Sequence, residues 1–185
     1  MLTLANRRNQ MTRHYSSFPD SLRYKCSSCE EVHSGLPDIS YAAPAYWNDA
    51  VIQKGSQLDV DICVIEDRDF FLRCLLEIPI RESDHRLGWG IWSSVSRKSF
   101  DLYTAETAPG DDLPGPFFGW FSNSLPGYPE TLSLKCSLSL PEPHLRPVIE
   151  LEPTDHPLAV DQRQGITIER TLEFIELCGL RVLSV

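Results

Sequence analysis

The sequence contains no run of about 18 apolar residues, the length a helix needs to cross a bilayer, so a membrane-spanning helix is excluded. It is also short of positive charge. Seventeen Lys and Arg stand against 26 Asp and Glu, for a formal net charge of −9. Nucleic-acid backbones and anionic membranes are held by clustered basic side chains, so neither is expected as a partner. The acid excess accounts for solubility and, more sharply, fits a basic protein partner. There is no G-x-S-x-G elbow, no phosphate-binding loop and no dinucleotide glycine fingerprint, so nothing marks an activated serine or a nucleotide site. Internal repeats and low-complexity linkers are missing too. Residues 1–21 carry Arg7, Arg8, Arg13 and His14, with no acid before Asp20 and no apolar core of the kind a secretory signal needs. They are expected to be a disordered tail, with Met11 as a second possible start. A cytoplasmic chain follows, in which six cysteines serve as thiols or metal ligands.

What remains is an ordinary globular composition, 42% hydrophobic and 23% charged, over 185 residues. That length suits one domain, expected over residues 22–185. Residues 44–54 read as a short helix, with Pro44 in the first turn and Gly55 past the end. Residues 61–65 and 70–78 read as a hairpin turning at 66–69, and pairing Ile65 with Phe70 would make Cys63 and Cys74 diagonal neighbours on one face. Further strands are expected at 88–96, 117–121, 132–138 and 148–151. Trp89 and Trp92 fall on opposite faces of theirs, so one of them lines something other than the main core. Helices are expected only at the end: 157–164, closed by Gly165, and 168–178, capped by Thr167 with Ile168, Leu172 and Ile175 inward. The pattern predicts an α+β fold with a mostly antiparallel sheet, a short N-terminal cysteine knuckle at 22–38 and C-terminal helices.

Three stretches can carry chemistry. Cys26-x-x-Cys29-x-x-x-His33 places two thiolates and an imidazole where they can grip one ion, and zinc prefers such donors in a tetrahedron. A fourth ligand would come from Cys136, His144, His156 or water; a protein ligand makes a closed structural site, water an open one. A redox C-x-x-C is opposed by Glu30 and Glu31, whose charge raises a neighbouring thiol pKa.

Glu150-Leu-Glu152-Pro-Thr-Asp155-His156 is the densest group of usable side chains. Alternation along a strand puts Glu150 and Glu152 on one side, with carboxylates about 6–7 Å apart, room for a water between an acid and a base. With Asp155 and His156 they form a candidate metal-assisted hydrolytic group. The competing reading spends Asp155 or Thr154 on capping the helix that Pro157 opens, and the glutamates on arginine pairs. The third stretch, residues 116–131, sets Trp120, Asn123 and Tyr128 among prolines and glycines. That mix is found in ligand pockets and interfaces as well as in cores.

Taken together, Cys26-x-x-Cys29-x-x-x-His33-x-Gly35-Leu36-Pro37, Trp89-Gly90-x-Trp92, Phe118-Gly119-Trp120, Leu125-Pro126-Gly127-Tyr128-Pro129-x-Thr131 and the segment from Glu150 to Thr167 resemble a bacterial family of uncharacterised single-domain proteins. The resemblance spans roughly Arg23 to Leu180 and implies no activity, since that family is a domain of unknown function. Its members usually carry Gly after the second cysteine, where this chain has Glu30. Glycine permits a positive φ at that point, and Glu30 brings strain and negative charge to it.

Overall fold

The structure is a computed structural model that describes residues 17–26, 29–52, 54–105, 114–142 and 145–185. Residues 1–16 of the expected tail, and His144, lie outside the described residues. The last residues of that expected tail, 17–21, form a hydrogen-bonded turn, with Phe18 packed on the core.

Among the described residues, eleven strands and four helices follow in chain order: β1 Arg23–Lys25, β2 Val32–Ser34, β3 Ile39–Ser40, α1 Asp49–Ile52, β4 Gln57–Leu58, β5 Ile62–Ile65, β6 Asp69–Pro79, β7 Arg86–Val95, α2 Arg97–Thr104, β8 Phe117–Phe121, β9 Lys135–Ser139, β10 Val148–Leu151, α3 Pro157–Gln164, α4 Ile168–Leu177 and β11 Arg181–Ser184. The fold is α+β with mostly antiparallel sheets. Strands β6 to β10 form a meander whose first and last members also pair, in parallel, at Leu75 and Val148. The larger sheet therefore closes into a five-stranded barrel instead of lying open. An odd number of alternating strands makes the closing pair parallel by necessity.

Side-chain alternation fills this barrel. Leu72, Cys74, Leu76, Ile78, Leu87, Trp89, Ile91, Phe117, Phe121, Leu138 and Ile149 form one buried cluster. Gly119 belongs to the inward series, and a Cβ there would clash with Ser93 Oγ and lie 2.8 Å from both Leu138 Cδ1 and the Ser94 carbonyl. Glycine is what lets β8 approach β7 and β9 so closely.

Beyond the single Val148–Leu75 pair the barrel seam parts, and a side chain takes the place of a strand. Gln162, on α3, donates from Nε2 to the Ile149 carbonyl at 2.7 Å and accepts at Oε1 from Leu151 N–H at 2.9 Å. Further along β6, Ile166 N–H donates to the Pro79 carbonyl and Arg81 N–H to that of Ile166.

Several sequence expectations are corrected. Glu66 and Asp67 both adopt positive φ, making a tight turn in which Arg68 N–H meets the Ile65 carbonyl. Ile65 therefore pairs with Asp69, one residue off the expected register. A one-residue slip flips faces. Cys63 and Ile65 join Phe71 and Trp92 in a second cluster outside the barrel, while Cys74 stays inside. Trp89 and Trp92 do separate, one into each cluster.

The first helix begins at Asp49, not Pro44, because Asn48 Oδ1 caps it by accepting from Ala50 and Val51 N–H. Helix α2 was not expected. Ser96 caps it, Arg97 pairs with Asp101 one turn on, and Phe100 packs against Phe70. The two C-terminal helices lie where the sequence places them, with Thr167 capping α4. No helix among the described residues is long and apolar enough to cross a membrane.

Candidate functional site

The cysteine segment forms a knuckle at the tip of a hairpin. β1 pairs with β2 on one side and with β11 on the other, so the tip sits at the end of a three-stranded sheet. Cys26 N–H donates to the Glu31 carbonyl and Glu30 N–H to that of Cys26, each at 3.0 Å, closing the turn. Glu30 sits at φ 59, the positive region for which glycine is the usual residue.

Within this turn the donor atoms of Cys26, Cys29 and His33 all lie within 4.8 Å of one another. Cys29 Sγ and His33 Nε2 are 3.1 Å apart. Around zinc, with bonds of about 2.3 Å to sulfur and about 2.0 Å to nitrogen, tetrahedral angles separate such donors by roughly 3.5 Å. The three side chains fit an ion of that size. The imidazole is braced by Tyr24, whose ring stacks on it at 5.5 Å from the paired position of β1. Burial, followed by Asp38 and the two thiols, raises the Tyr24 pKa.

No other group of three or more His, Cys, Asp or Glu side chains converges this closely among the described residues. Two of the expected fourth ligands lie elsewhere. Cys136 is buried on β9 against Ser93 Oγ, and burial pushes its thiol up to about 12. His156 caps α3.

The cap engages the histidine of the acidic segment. His156 Nδ1 accepts from Leu158 N–H at 3.2 Å, so its Nε2 carries the proton and donates to the Glu130 carbonyl at 3.1 Å. Both ring nitrogens are engaged. The expected caps serve otherwise: Thr154 Oγ1 accepts from His156 N–H, and Asp155 stands exposed. The rest of the segment is structural in the same way. Pro157 opens α3, Leu158 and Ala159 enter the core, Gln162 closes the seam and Gly165 turns at φ 74 against the Pro79 carbonyl.

Glu150 and Glu152 do point to one side, outward from β10. Glu152 faces Lys135 loosely, at 3.8 Å. Glu150 has neither an ion pair nor a hydrogen bond to its carboxylate among the described residues. It borders a groove of about 650 Å³ with Glu77, Arg86 and Arg163.

The aromatic segment divides. Asn123 is buried, accepting from Trp92 N–H at 2.7 Å and donating to the Ala43 carbonyl at 3.0 Å. Thr131 ties the same loop by donating to the Asn123 carbonyl and accepting from Leu125 N–H. Tyr128 donates to Asp161 and stacks on Phe174 at 4.9 Å; burial and Asp161 raise its pKa far above the usual range. Trp120 alone of the three faces out. It is 41% exposed and meets Phe118, 53% exposed, in a T-shaped pair at 5.2 Å.

Phe118, named above only within a family motif, was not among the expected site residues. The signal was present in Phe117-Phe118-Gly119-Trp120-Phe121, because strict alternation with Gly119 inward forces residues 118 and 120 outward. Trp120 also rims a cavity of about 590 Å³ walled by Tyr46, Val51, Ile65, Phe71 and Val95.

Comparison with known proteins adds one relationship. A family model described as "Uncharacterized protein conserved in bacteria (DUF2199)" matches residues 25–166, from the end of β1 to the segment that closes the barrel seam. No curated protein and no solved structure matches the chain.

Proposed function

We propose that this chain, which belongs to the DUF2199 family of proteins conserved in bacteria, is a binding module whose N-terminal hairpin is stapled by a zinc ion on Cys26, Cys29 and His33. The convergence of those three donors within 4.8 Å carries the reading. Zinc there would cross-link a turn that has little apolar packing of its own. Because β1 also pairs with β11, the ion would hold the C-terminal strand in register as well. Its role is mechanical, adding folding free energy through ligand bonds that an unfolded chain cannot form together.

The alternative is a metal-assisted hydrolase built on Glu150, Glu152, Asp155 and His156. Such a site needs a basic lone pair aimed at water or metal. His156 spends Nδ1 on the helix cap and Nε2–H on Glu130, and the carboxylates do not converge on it. These observations favour the module.

The test is zinc content in three preparations: the native chain, Cys29→Ser and His156→Ala. The module reading expects about one zinc per chain, lost in Cys29→Ser and retained in His156→Ala. Zinc kept by the cysteine variant and lost from the histidine variant would make the hydrolase the better account.

A further inference from the structure

We infer that the outer face of β8, β9 and β10 is the docking surface of this module and that its occupant is an arginine-rich segment of a partner protein. The inference rests on the binding-module reading and names the partner chemistry for it.

Strand register sets two rows of side chains on this face. Phe118 lies across from Ser137, which lies across from Glu150. Trp120 lies across from Lys135, and Lys135 is bonded through its carbonyl to Glu152 N–H. At about 4.8 Å between neighbouring strands, the aromatic column and the carboxylate column run parallel roughly 10 Å apart. Two large aromatic rings are thus left to solvent on a regular sheet, where the opposite face of the same strand is fully packed. Phe118 and Trp120 contact each other edge to face, an arrangement that leaves ring surface uncovered.

Charge selects the occupant. Lys135 is the only base in these two rows and faces Glu152 loosely, at 3.8 Å; Arg86 and Arg163 border Glu150 from the groove on the other side of β10 without an ion pair to it, and exposed Asp155 lies just beyond β10. The whole chain carries −9. A guanidinium is the group that satisfies both columns at once: its plane stacks on an indole or phenyl ring while its N–H fork bonds a carboxylate. Lysine can supply the charge but not the stacking fork. A segment with arginines at alternate positions would span from the aromatic column to Glu150 and Glu152, and an apolar neighbour could enter the cavity that Trp120 rims.

The experiment is calorimetric titration of the zinc-loaded chain with a synthetic peptide of alternating Arg and Ser, beside equal-length Lys-Ser and Glu-Ser peptides. Tryptophan emission is followed in parallel: Trp89 and Trp92 are buried, Trp47 is half-buried and Trp120 is the most exposed of the four, and Trp120→Ala identifies its share of the signal. We expect the arginine peptide to bind, the lysine peptide to bind several-fold more weakly, and the acidic peptide not to bind. Trp120→Ala should weaken the arginine peptide about tenfold, the loss of one good cation–π contact. Glu150→Gln with Glu152→Gln should weaken it about fivefold and flatten its salt dependence.

All three positions are exposed, so unchanged thermal unfolding verifies that each variant folds. Equal affinity in native chain and variants, or no binding by the native chain, would overturn the inference. Zinc content measured on the same samples separates the failures: zinc bound without peptide binding refutes this face, whereas an empty knuckle refutes the staple.

Discussion

His33 Nε2 lies 3.1 Å from Cys29 Sγ, with the imidazole held from behind by the Tyr24 ring. A contact of that length without a metal is an ordinary thiol–imidazole hydrogen bond. With Cys26 joining, it is also the edge of a metal polyhedron. The residue that makes the geometry strained is Glu30, one position after Cys29, at φ 59.

Glycine at that position should relieve the strain and remove a carboxylate. A non-glycine residue in the left-handed region costs about 1–2 kcal/mol. Glu30→Gly is expected to raise apparent zinc affinity by roughly tenfold in a competition titration with a chelator. Unchanged affinity would mean that the turn is not under strain.

His156 is a helix cap in this account. His156→Ala leaves Leu158 N–H without its acceptor and is expected to lower unfolding stability by about 1 kcal/mol in a denaturant titration. His156→Asn, which can also cap, should recover most of that loss. A catalytic histidine would give no such rescue pattern.

The barrel wall depends on two unusual positions. Gly119→Ala drives a methyl against Ser93, Leu138 and the Ser94 carbonyl, and overpacking of this kind typically costs about 1–3 kcal/mol. Gln162→Leu keeps the volume but strands the Ile149 carbonyl and Leu151 N–H at the seam, for a loss of about 2 kcal/mol. Hydrogen exchange should then quicken at β10 before it does at β7.

Alkaline pH should unfold the chain through its buried thiols. Burial raises Cys63 and Cys136 to about 12 and Cys178 to about 11, from an ordinary 9.0, and raises Cys74 well above it. A thiol whose folded pKa is raised favours the native state below its unfolded pKa, where both states hold the proton. The unfolded chain releases the proton first as pH climbs past about 9, so stability falls from there toward pH 12. Denaturant midpoints are expected to be flat from pH 7 to 8.5 and to drop steeply above. Replacing Cys63 with Ala should make the drop shallower. A midpoint independent of pH up to 11 would contradict the burial of these groups.

Much of this was legible in residue order. The last two helices could be read because their caps, Pro157 and Gly165 for α3 and Thr167 for α4, are local signals. Outward Glu150 and Glu152 followed from alternation. The knuckle was legible as well, since its three donors come from one turn. Barrel closure was not: one parallel pair, Val148 with Leu75, and a side-chain amide make it, and neither leaves a local mark. The hairpin register was missed because two successive acidic residues, Glu66 and Asp67, adopt positive φ. The His156 cap was missed because histidine caps helices less often than its neighbours Thr154 and Asp155 would. Trp120 was separated from Asn123 and Tyr128 only by the tertiary structure, which buries the latter two in loop ties.

The most direct measurement of the central claim is the visible absorption of the chain loaded with Co²⁺ in place of zinc, compared with Cys29→Ser. The account predicts strong tetrahedral ligand-field bands with a thiolate-to-metal charge-transfer band, the latter reduced by about half in the variant as two thiolates become one. Weak octahedral absorption, identical in both preparations, would contradict a metal held by Cys26, Cys29 and His33.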